Sequence, residues 1–201
     1  ANAYNGTTYN LNSTIYKWIP SLSCFGKDSS SACGTAYQSI ATNGAATWES
    51  FTIGIDTYLT VANSRNDSAR NVSSKIYKWT SSGAGCPTGG GLGNGTNCNA
   101  EYQSISTSGA VDLKTIIVGV NTYLAVANYR NDASYGLSYG INSNIYKWIS
   151  SGAGCPAGGG FGDGTACGTA YQSIPTKGAY RMESFTLEGG SDMAVTTAFD
   201  P

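Results

Sequence analysis

The chain repeats itself, and this repetition limits its possible folds more than any other feature. The segment at residues 58–79 returns almost letter for letter at 123–148, and its second half opens the chain at 1–18. A long period made of several short, strand-like motifs is typical of stacked or radially arranged sheets rather than of independent domains. We therefore predict a single repeat domain over residues 1–201.

Two shorter motifs place the units along the chain. The motif Tyr-Gln-Ser-Ile starts at Tyr37, Tyr102 and Tyr171. A second motif, Trp-Glu-Ser-Phe, occupies residues 48–51, with counterparts at 113–116 and 182–185. The order of these motifs predicts units at residues 37–79, 102–148 and 171–199, the last completed by residues 1–19.

Each unit has the pattern of four β-strands. In segments 14–19, 75–80 and 144–150, Tyr and Trp alternate with Ile and Lys, which is the period of a pleated strand. Short turns such as Asp56-Thr57 indicate hairpins, and no unit has helical periodicity. The expected fold is an all-β propeller of four-stranded antiparallel blades, about three per chain, with one composite blade made from the N- and C-terminal strands. A β-trefoil, which also has four strands per unit, is the alternative.

Three equivalent tryptophans, Trp18, Trp79 and Trp148, lie within these strands. A large apolar ring that recurs inside strands is typical of packing between sheets, so we predict core positions. The alternative is a set of exposed platforms on which a ligand stacks.

The six cysteines fall into one pair per unit, in loops 20–35, 81–100 and 150–170. Only local pairing repeats with the units, and a zinc site is disfavoured because the chain has no histidine. Such disulfides indicate an oxidising, extracellular compartment and therefore a secreted protein. Five glycosylation sequons agree with secretion or arise by chance in an Asn- and Ser-rich chain. The predicted disulfides are Cys24–Cys33, Cys86–Cys98 and Cys155–Cys167, and the sequons lie at Asn5, Asn12, Asn66, Asn71 and Asn94.

The composition argues against two classes of partner. Only 11% of residues are charged, against about 25% in an ordinary soluble domain, and the net charge is -1. No basic block is present for a phosphate backbone, so we expect no nucleic-acid partner. No run of 18 apolar residues occurs, so we expect no membrane span.

Catalysis is also disfavoured. Without histidine there is no serine- or cysteine-histidine nucleophile, and paired cysteines leave no free thiol. The acids Glu49, Asp112 and Glu183 lie in corresponding motifs of different units, which indicates a repeated structural role rather than an acid-base pair. We predict that the chain is not an enzyme and has no cofactor.

The strongest repeated polar pattern follows the apolar strand of each unit. Asn, Arg, Asp and Tyr can hydrogen-bond sugar hydroxyls or stack on sugar rings, so these turns are candidate ligand-binding sites. The alternative is a polar turn held by pairing of its own Arg and Asp. The candidate residues are Asn63, Arg65, Asn66 and Asp67; Asn128, Tyr129, Arg130, Asn131 and Asp132; and, by a looser match, Asn2, Tyr4 and Asn5.

Two functions are consistent with this pattern. A multivalent lectin would use two or three like pockets for glycans. An extracellular ligand or adhesion module would instead use one face to bind a cell-surface receptor or glycoprotein. The repetition of polar residues favours the lectin.

Taken together, the motifs resemble the epilepsy-associated (epitempin, EAR/EPTP) repeat. The resemblance is carried by the run at 58–79 with its counterpart at 123–148, by residues 102–105 and by residues 48–51. It implies four-stranded propeller blades and an extracellular recognition role. The disulfide loops are additions to the family pattern, and about three repeats replace the usual seven.

One family feature is not retained in this sequence. The aspartate common before the Trp-Glu pair is present only as Asp112, and its counterparts are Thr47 and Arg181. The sequence therefore does not support a calcium ion in the central channel.

The number of blades predicts an assembly. Propellers have about four to eight blades, so three blades are too few for a ring. We predict a homodimer that forms one six-bladed ring, in which the N-terminal strand of each chain completes the C-terminal sheet of the other.

Overall fold

The computed structural model describes residues 1–133 and 136–197, and in this part of the chain the regular elements are all β-strands. The strands are β1 (Asn10–Ile15), β2 (Lys17–Ile19), β3 (Cys24–Gly26), β4 (Gln38–Asn43), β5 (Ala45–Ile53), β6 (Asp56–Asn63), β7 (Ser74–Thr80), β8 (Gly91–Gly93), β9 (Gln103–Ile105), β10 (Ala110–Val118), β11 (Asn121–Asn128), β12 (Asn131–Ala133), β13 (Gly136–Ser138), β14 (Asn142–Ile149), β15 (Gly160–Gly162), β16 (Gln172–Pro175), β17 (Ala179–Leu187) and β18 (Gly190–Thr197). The expected all-β class is confirmed.

Two complete antiparallel sheets form the middle of the described chain. Sheet 2 has the order β5-β6-β7, and the far edge of β7 pairs with β9 near one end and with β8 near the other. Sheet 3 repeats this arrangement as β10-β11-β14, with β16 and β15 on the far edge of β14. The two sheets are therefore copies of one unit. A short separate hairpin joins β12 to β13.

The ends of the described chain form two half-sheets. Sheet 1 consists of β1 paired with β4 and, beyond it, β2 paired with β3. Sheet 4 consists of β17 paired with β18 alone. In sheets 2 and 3, two inner strands (β5 and β6, or β10 and β11) are followed by two outer strands (β7 and β9, or β14 and β16). Sheet 1 contains the counterparts of the outer strands only, and sheet 4 contains the counterparts of the inner strands only.

Hydrophobic layers lie between successive sheets. Ile40 of sheet 1 packs on Val61 and Tyr77 of sheet 2. A larger cluster joins sheets 2 and 3, and a third cluster joins sheets 3 and 4. The order of stacking is therefore 1-2-3-4, with the innermost strands β5, β10 and β17 side by side. The members of the middle layer include Phe51, Tyr58, Leu113, Leu124, Tyr146 and Phe161.

Sheet membership differs from the predicted units. The strands that begin with the Tyr-Gln motif, β4 and β9, pair with β1 and β7 and not with the strands that follow them. The prediction that each unit forms one sheet in its own sequence order is therefore wrong by one strand. The reason is the glycine after each such strand: Gly44 has a φ of 53° and donates its N–H to the Tyr9 carbonyl oxygen, which turns the chain into the next sheet.

The composite terminal blade is not formed among the described residues of one chain. We expected the strand at residues 14–19 to complete a three-stranded C-terminal sheet, but the described strands of sheet 4 pair only with each other. Phe199, the predicted end of that sheet, lies outside the described residues. The β-trefoil alternative is not supported, because no described strand of one stacked sheet forms a backbone ladder with a strand of the next, as a shared barrel requires.

The three predicted disulfides are confirmed. Each closes its own loop, with Cα–Cα distances of 5.9 Å, 4.8 Å and 4.9 Å along the chain. The loops are also held by the neighbouring sheet. Gln38 donates its Nε2–H to the Leu92 carbonyl oxygen at 2.7 Å and accepts the Leu92 N–H at 2.9 Å. Gln103 makes the same two hydrogen bonds to Phe161, at 2.7 Å and 2.9 Å.

Candidate functional site

Two of the predicted binding residues are used by the fold itself. Asn63 is buried at the end of β6, where it accepts the Asn43 N–H and donates its side-chain N–H to the Ser73 carbonyl oxygen. Asn128 ends β11 in the same way, with Ser108 and Asn142 as partners. Because these amides are already hydrogen-bonded to the backbone, both asparagines hold the following turn rather than face a ligand.

The N-terminal residues and the first repeated turn form one cluster. The Arg65 guanidinium carbon lies 4.0 Å from the centroid of the Tyr9 ring, and the Tyr4 ring stacks on Tyr9 at 4.4 Å. A guanidinium placed flat over an aromatic ring is stabilised by the ring quadrupole and keeps its N–H groups at the edges. The structure thus brings together Tyr4 and Arg65, which are far apart in sequence, through Tyr9, which the sequence did not predict.

Asp67 attaches the N-terminal segment to this cluster. Its carboxylate accepts the Thr8 hydroxyl at 2.6 Å, the Tyr9 N–H at 2.7 Å and the Asn10 side-chain amide at 2.9 Å. The hydrogen bonds from Thr8 and Tyr9, with a smaller contribution from Arg65, lower the pKa of the Asp67 carboxyl. The alternative of a turn held by pairing of Arg65 with Asp67 is not seen as a salt bridge within the described residues, since Asp67 binds mainly the N-terminal segment.

The second repeated turn forms a similar cluster. The Arg130 guanidinium carbon lies 5.3 Å from the Tyr129 ring and 5.9 Å from the Tyr139 ring, and it donates to the Tyr139 hydroxyl at 3.1 Å. Tyr180, which is exposed, meets the edge of Tyr129 at 5.9 Å. Asp132 accepts the backbone N–H of Arg70, just as Asp67 accepts that of Tyr9.

Arg70 joins the two clusters into one surface. Partial burial, together with the neighbouring Arg130 and Arg65, lowers the pKa of the Arg70 guanidinium. Arg70 follows the first repeated turn and donates its backbone N–H to Asp132 of the second turn, so the two clusters adjoin at this residue. We call this surface the arginine–tyrosine face; its members are Tyr4, Tyr9, Arg65, Arg70, Tyr129, Arg130, Tyr139 and Tyr180.

The remaining candidates shape the turns around this face. Asn5 and Asn66 each accept two backbone N–H groups from residues just after them, which is the geometry of an Asx turn. Asn2 donates its side-chain amide to the Asn12 carbonyl oxygen at 2.7 Å. In Asn131 the side-chain oxygen is buried without a hydrogen-bond partner in the described structure.

The acids of the innermost strands connect neighbouring sheets. Glu49 accepts the Thr115 N–H at 3.0 Å, and Asp112 accepts the Met182 N–H at 2.9 Å. Lys114 forms a salt bridge with Glu183 at 3.3 Å. These contacts line a groove of about 370 Å³ and account for the acids as structural groups.

This groove does not fit a calcium ion. Its three equivalent positions carry Thr47, Asp112 and Arg181, and a guanidinium repels a cation. No group of three or more potential metal ligands occurs in the described residues.

One cavity was missed by the sequence analysis. Trp18, Lys17 and Lys27 line a space of about 510 Å³ between the first two disulfide loops, with Tyr37 on its wall. The core prediction for the tryptophans holds only for Trp148, which packs on Tyr58 at 5.1 Å. Trp18 and Trp79 are exposed, because the described structure has no further sheet against Trp18 and because Trp79 faces the short sheet 1.

Comparison with known proteins places these features in context. The family model described as "EPTP domain" matches residues 35–80 and 100–149. The mouse thrombospondin-type laminin G domain and EAR repeat-containing protein is 34% identical over 137 residues, covering 68% of this chain and 17% of that protein. Its human counterpart is 32% identical over 188 residues, covering 94% of this chain and 22% of that protein. The chain thus spans about a fifth of the length of these curated relatives. Separately, the described residues include no helix long and apolar enough to cross a membrane.

Proposed function

Because this chain belongs to the EAR/EPTP repeat family, we propose that it is a secreted, non-catalytic recognition module that binds carbohydrate through its arginine–tyrosine face. The observation that carries this proposal is the repetition of one arrangement, an arginine stacked on tyrosines, at two successive turns. The chain is a lectin in this proposal, and each cluster is one binding site.

The chemistry of the face suits a sugar. Exposed tyrosine rings such as Tyr4 and Tyr180 offer apolar faces with a polar tip, which matches the C–H face and the hydroxyl rim of a pyranose. The guanidinium groups of Arg65 and Arg130 are oriented by the rings beneath them. Oriented N–H donors bind hydroxyl or carboxylate oxygens with little further loss of side-chain freedom.

Repetition supports a multivalent mode of binding. The two clusters are built from corresponding residues of neighbouring sheets, so they face the same side of the molecule. Two weak sites that engage one branched or clustered glycan gain avidity without any new contact. This gain in avidity offsets the weak affinity that we expect of a shallow surface for a single sugar.

Secretion and the lack of catalysis have separate support. The three disulfides are typical of proteins from oxidising compartments, and the described part of the chain has no free cysteine. Glu49 and Asp112, the acids nearest the central groove, already accept backbone N–H groups. They therefore support the stacking of sheets rather than proton transfer.

The proposal is tested with glycan arrays and calorimetric titration of array-positive sugars. We expect Arg65→Ala and Arg130→Ala each to weaken binding about tenfold, because hydrogen bonds to charged groups contribute ~1.5–3 kcal/mol. The double variant should abolish agglutination of red cells. Lys27→Ala, which removes one positive charge outside the face, is the matched control and should bind normally. A blank array, or full binding by the double variant, would contradict the proposal.

A protein ligand for a cell-surface receptor is the second candidate. It is favoured by one observation: exposed tyrosines beside arginines are the residue types enriched at the energetic centres of protein interfaces. In that case agglutination would resist every simple sugar, and the Arg65→Ala variant would lose nanomolar binding to a membrane glycoprotein stripped of its glycans.

A further inference from the structure

We propose that Arg70 and Arg130 together bind the acidic group of a saccharide, a carboxylate or a sulfate, on the arginine–tyrosine face. The presence of a sugar rests here on the proposed function, and the arginine pair adds the chemical class of that sugar. The two clusters of the face are then unlike, and only the second one recognises an anion.

One position of the repeat carries Tyr9, Arg70 and Tyr139 in successive units. Each lies nine residues before the tryptophan of its unit. The carbonyl oxygen of each accepts the N–H of the residue two places later and the N–H of the turn glycine that leads into the next sheet. The fold therefore holds these three backbones alike, and only the side chain changes from tyrosine to arginine and back. The turn glycines are Gly44, Gly109 and Gly178.

In the first cluster this position is the platform for an arginine. The Arg65 guanidinium carbon lies 4.0 Å from the centroid of the Tyr9 ring, and the carboxylate of the same turn accepts the Tyr9 N–H at 2.7 Å. In the second cluster the turn residues are Arg130 and Asp132, and Asp132 accepts the backbone N–H of Arg70. The repeat therefore sets a second arginine where the first cluster has an aromatic ring.

This arginine pair has no carboxylate partner among the described residues. The salt bridges found there all use lysines. The acid of the turn, Asp132, instead accepts the backbone N–H groups of Arg70 and Asn71. Partial burial, followed by the charges of Arg130 and Arg65, lowers the pKa of the Arg70 guanidinium, although Asp132 opposes this shift. Cations on adjoining segments without a counter-charge attract an anion.

Arg130 also has a donor that the fold does not use. One terminal nitrogen donates to the Tyr139 hydroxyl at 3.1 Å, which orients the guanidinium. The Nε atom is buried and has no hydrogen-bond partner within the described structure. Native proteins seldom leave a buried donor unpaired, and a bound ion or water commonly accounts for such a group. A guanidinium presents its donors as a planar fork that matches two oxygens of a carboxylate or sulfate.

Aromatic rings beside the pair supply the rest of a sugar site. The Arg130 guanidinium carbon lies 5.3 Å from the Tyr129 ring, and Tyr180, which is 61% exposed, meets the edge of Tyr129 at 5.9 Å. An exposed tyrosine ring packs against the C–H face of a pyranose. An acidic sugar combines such a face with an anion on the same ring. The second cluster therefore matches both parts of an acidic saccharide.

A glycan array with matched pairs tests the preference for an acid group. In the carboxylate arm the pair is sialyllactose and its methyl ester, and in the sulfate arm it is sulfated lactose and lactose. We expect the acidic member of at least one pair to bind about tenfold or more tightly than its neutral partner, because hydrogen bonds to charged groups contribute on this scale. The two arms also distinguish which anion is preferred.

Arg70→Tyr is the diagnostic substitution, because it gives the second cluster the side chain that the preceding unit carries as Tyr9. The preference for the acidic member should disappear, whereas binding of the neutral member should persist. Arg70→Gln keeps a polar side chain and should lose the preference in the same way, which provides a second variant if the tyrosine prevents folding. Lys27→Ala removes one positive charge outside the face and should keep the preference.

Sodium sulfate locates the anion within the face. In nuclear magnetic resonance spectra of the natural chain, the Arg130 Nε–H resonance should shift as sulfate is added. The shift should be absent in the Arg70→Tyr variant. A resonance that does not move in the natural chain overturns the assignment of the anion to this pair.

The array outcomes separate the acid preference from the carbohydrate function itself. Acidic and neutral members that bind alike overturn the preference and leave the proposed function standing. A preference that survives in folded Arg70→Tyr and Arg70→Gln chains, as judged by circular dichroism, also overturns it, because the anion then binds elsewhere. A blank array overturns both.

Discussion

Single residues in this chain gain their roles from the sheet beside them. Asn63 and Asn128 are repeated because they end an apolar strand and hydrogen-bond the turns on both sides of it. Asp67 and Asp132 are repeated because each accepts the backbone N–H of the segment contributed by the preceding sheet. Arg65 and Arg130 lie near these residues in the sequence, and each places its guanidinium over a tyrosine ring. Neighbouring positions of one motif thus divide between holding the turn and packing on tyrosine rings.

The pH dependence of Asp67 follows from its hydrogen bonds. The Thr8 hydroxyl and the Tyr9 N–H lower the pKa of this carboxyl in the folded protein. Its contribution is therefore present above the unfolded pKa of about 3.9 and is lost as the pH falls through the lower folded value. We expect the Tyr9 amide resonance to shift, and its hydrogen exchange to accelerate, as the solution becomes strongly acidic. Asp67→Asn should show no such transition, and an unchanged Tyr9 amide in the natural chain would refute the expectation.

Strands and disulfides were predictable from the sequence where they depend on residues close together in the chain. Alternation of apolar and polar residues identified the longer strands but not the short strands β3, β8 and β15 within the cysteine loops. The position of one cysteine pair in each unit identified all three disulfides. Alternation does not specify the partner of a strand, so β4 was assigned to the wrong sheet. The partner depends on the glycine turn after β4 and on packing across the repeat boundary. The same limit applies to the candidate site, since Tyr9 and Arg70 come from the preceding sheet and do not belong to the repeated polar motif.

The turn glycines offer a direct test of this geometry. Gly109 has a φ of 54°, and a Cβ built there would lie 2.4 Å from the Arg130 carbonyl oxygen. Gly119 has a φ of 60° but open space around it. An alanine at either position costs about 1–2 kcal/mol in backbone conformation, and only at Gly109 must the chain also move. Denaturant unfolding should show Gly109→Ala destabilised by at least ~2 kcal/mol more than Gly119→Ala. Equal losses would contradict the close approach.

The whole molecule is held together with few charges. Only 11% of residues are charged, and the described chain has three salt bridges between side chains, each at least partly exposed. Cohesion comes from the apolar layers between sheets and from repeated pairs of hydroxyls, such as Ser13 with Thr42 and Ser74 with Thr107, each at 3.0 Å. The inner layers are closed on both sides, whereas the outer faces of sheets 1 and 4 retain exposed aromatic rings.

The first strand of each repeat belongs to the sheet before the one that its other strands form. This offset of one strand also affects how a gene for such a protein can lengthen. Each repeat donates its first strand to the sheet before it and receives one from the repeat after it, as β4 and β9 do. A tandem duplication of one full period, wherever its breakpoints fall, therefore adds one sheet to the stack. The stack can lengthen by recombination without any redesign of the contacts between neighbouring sheets.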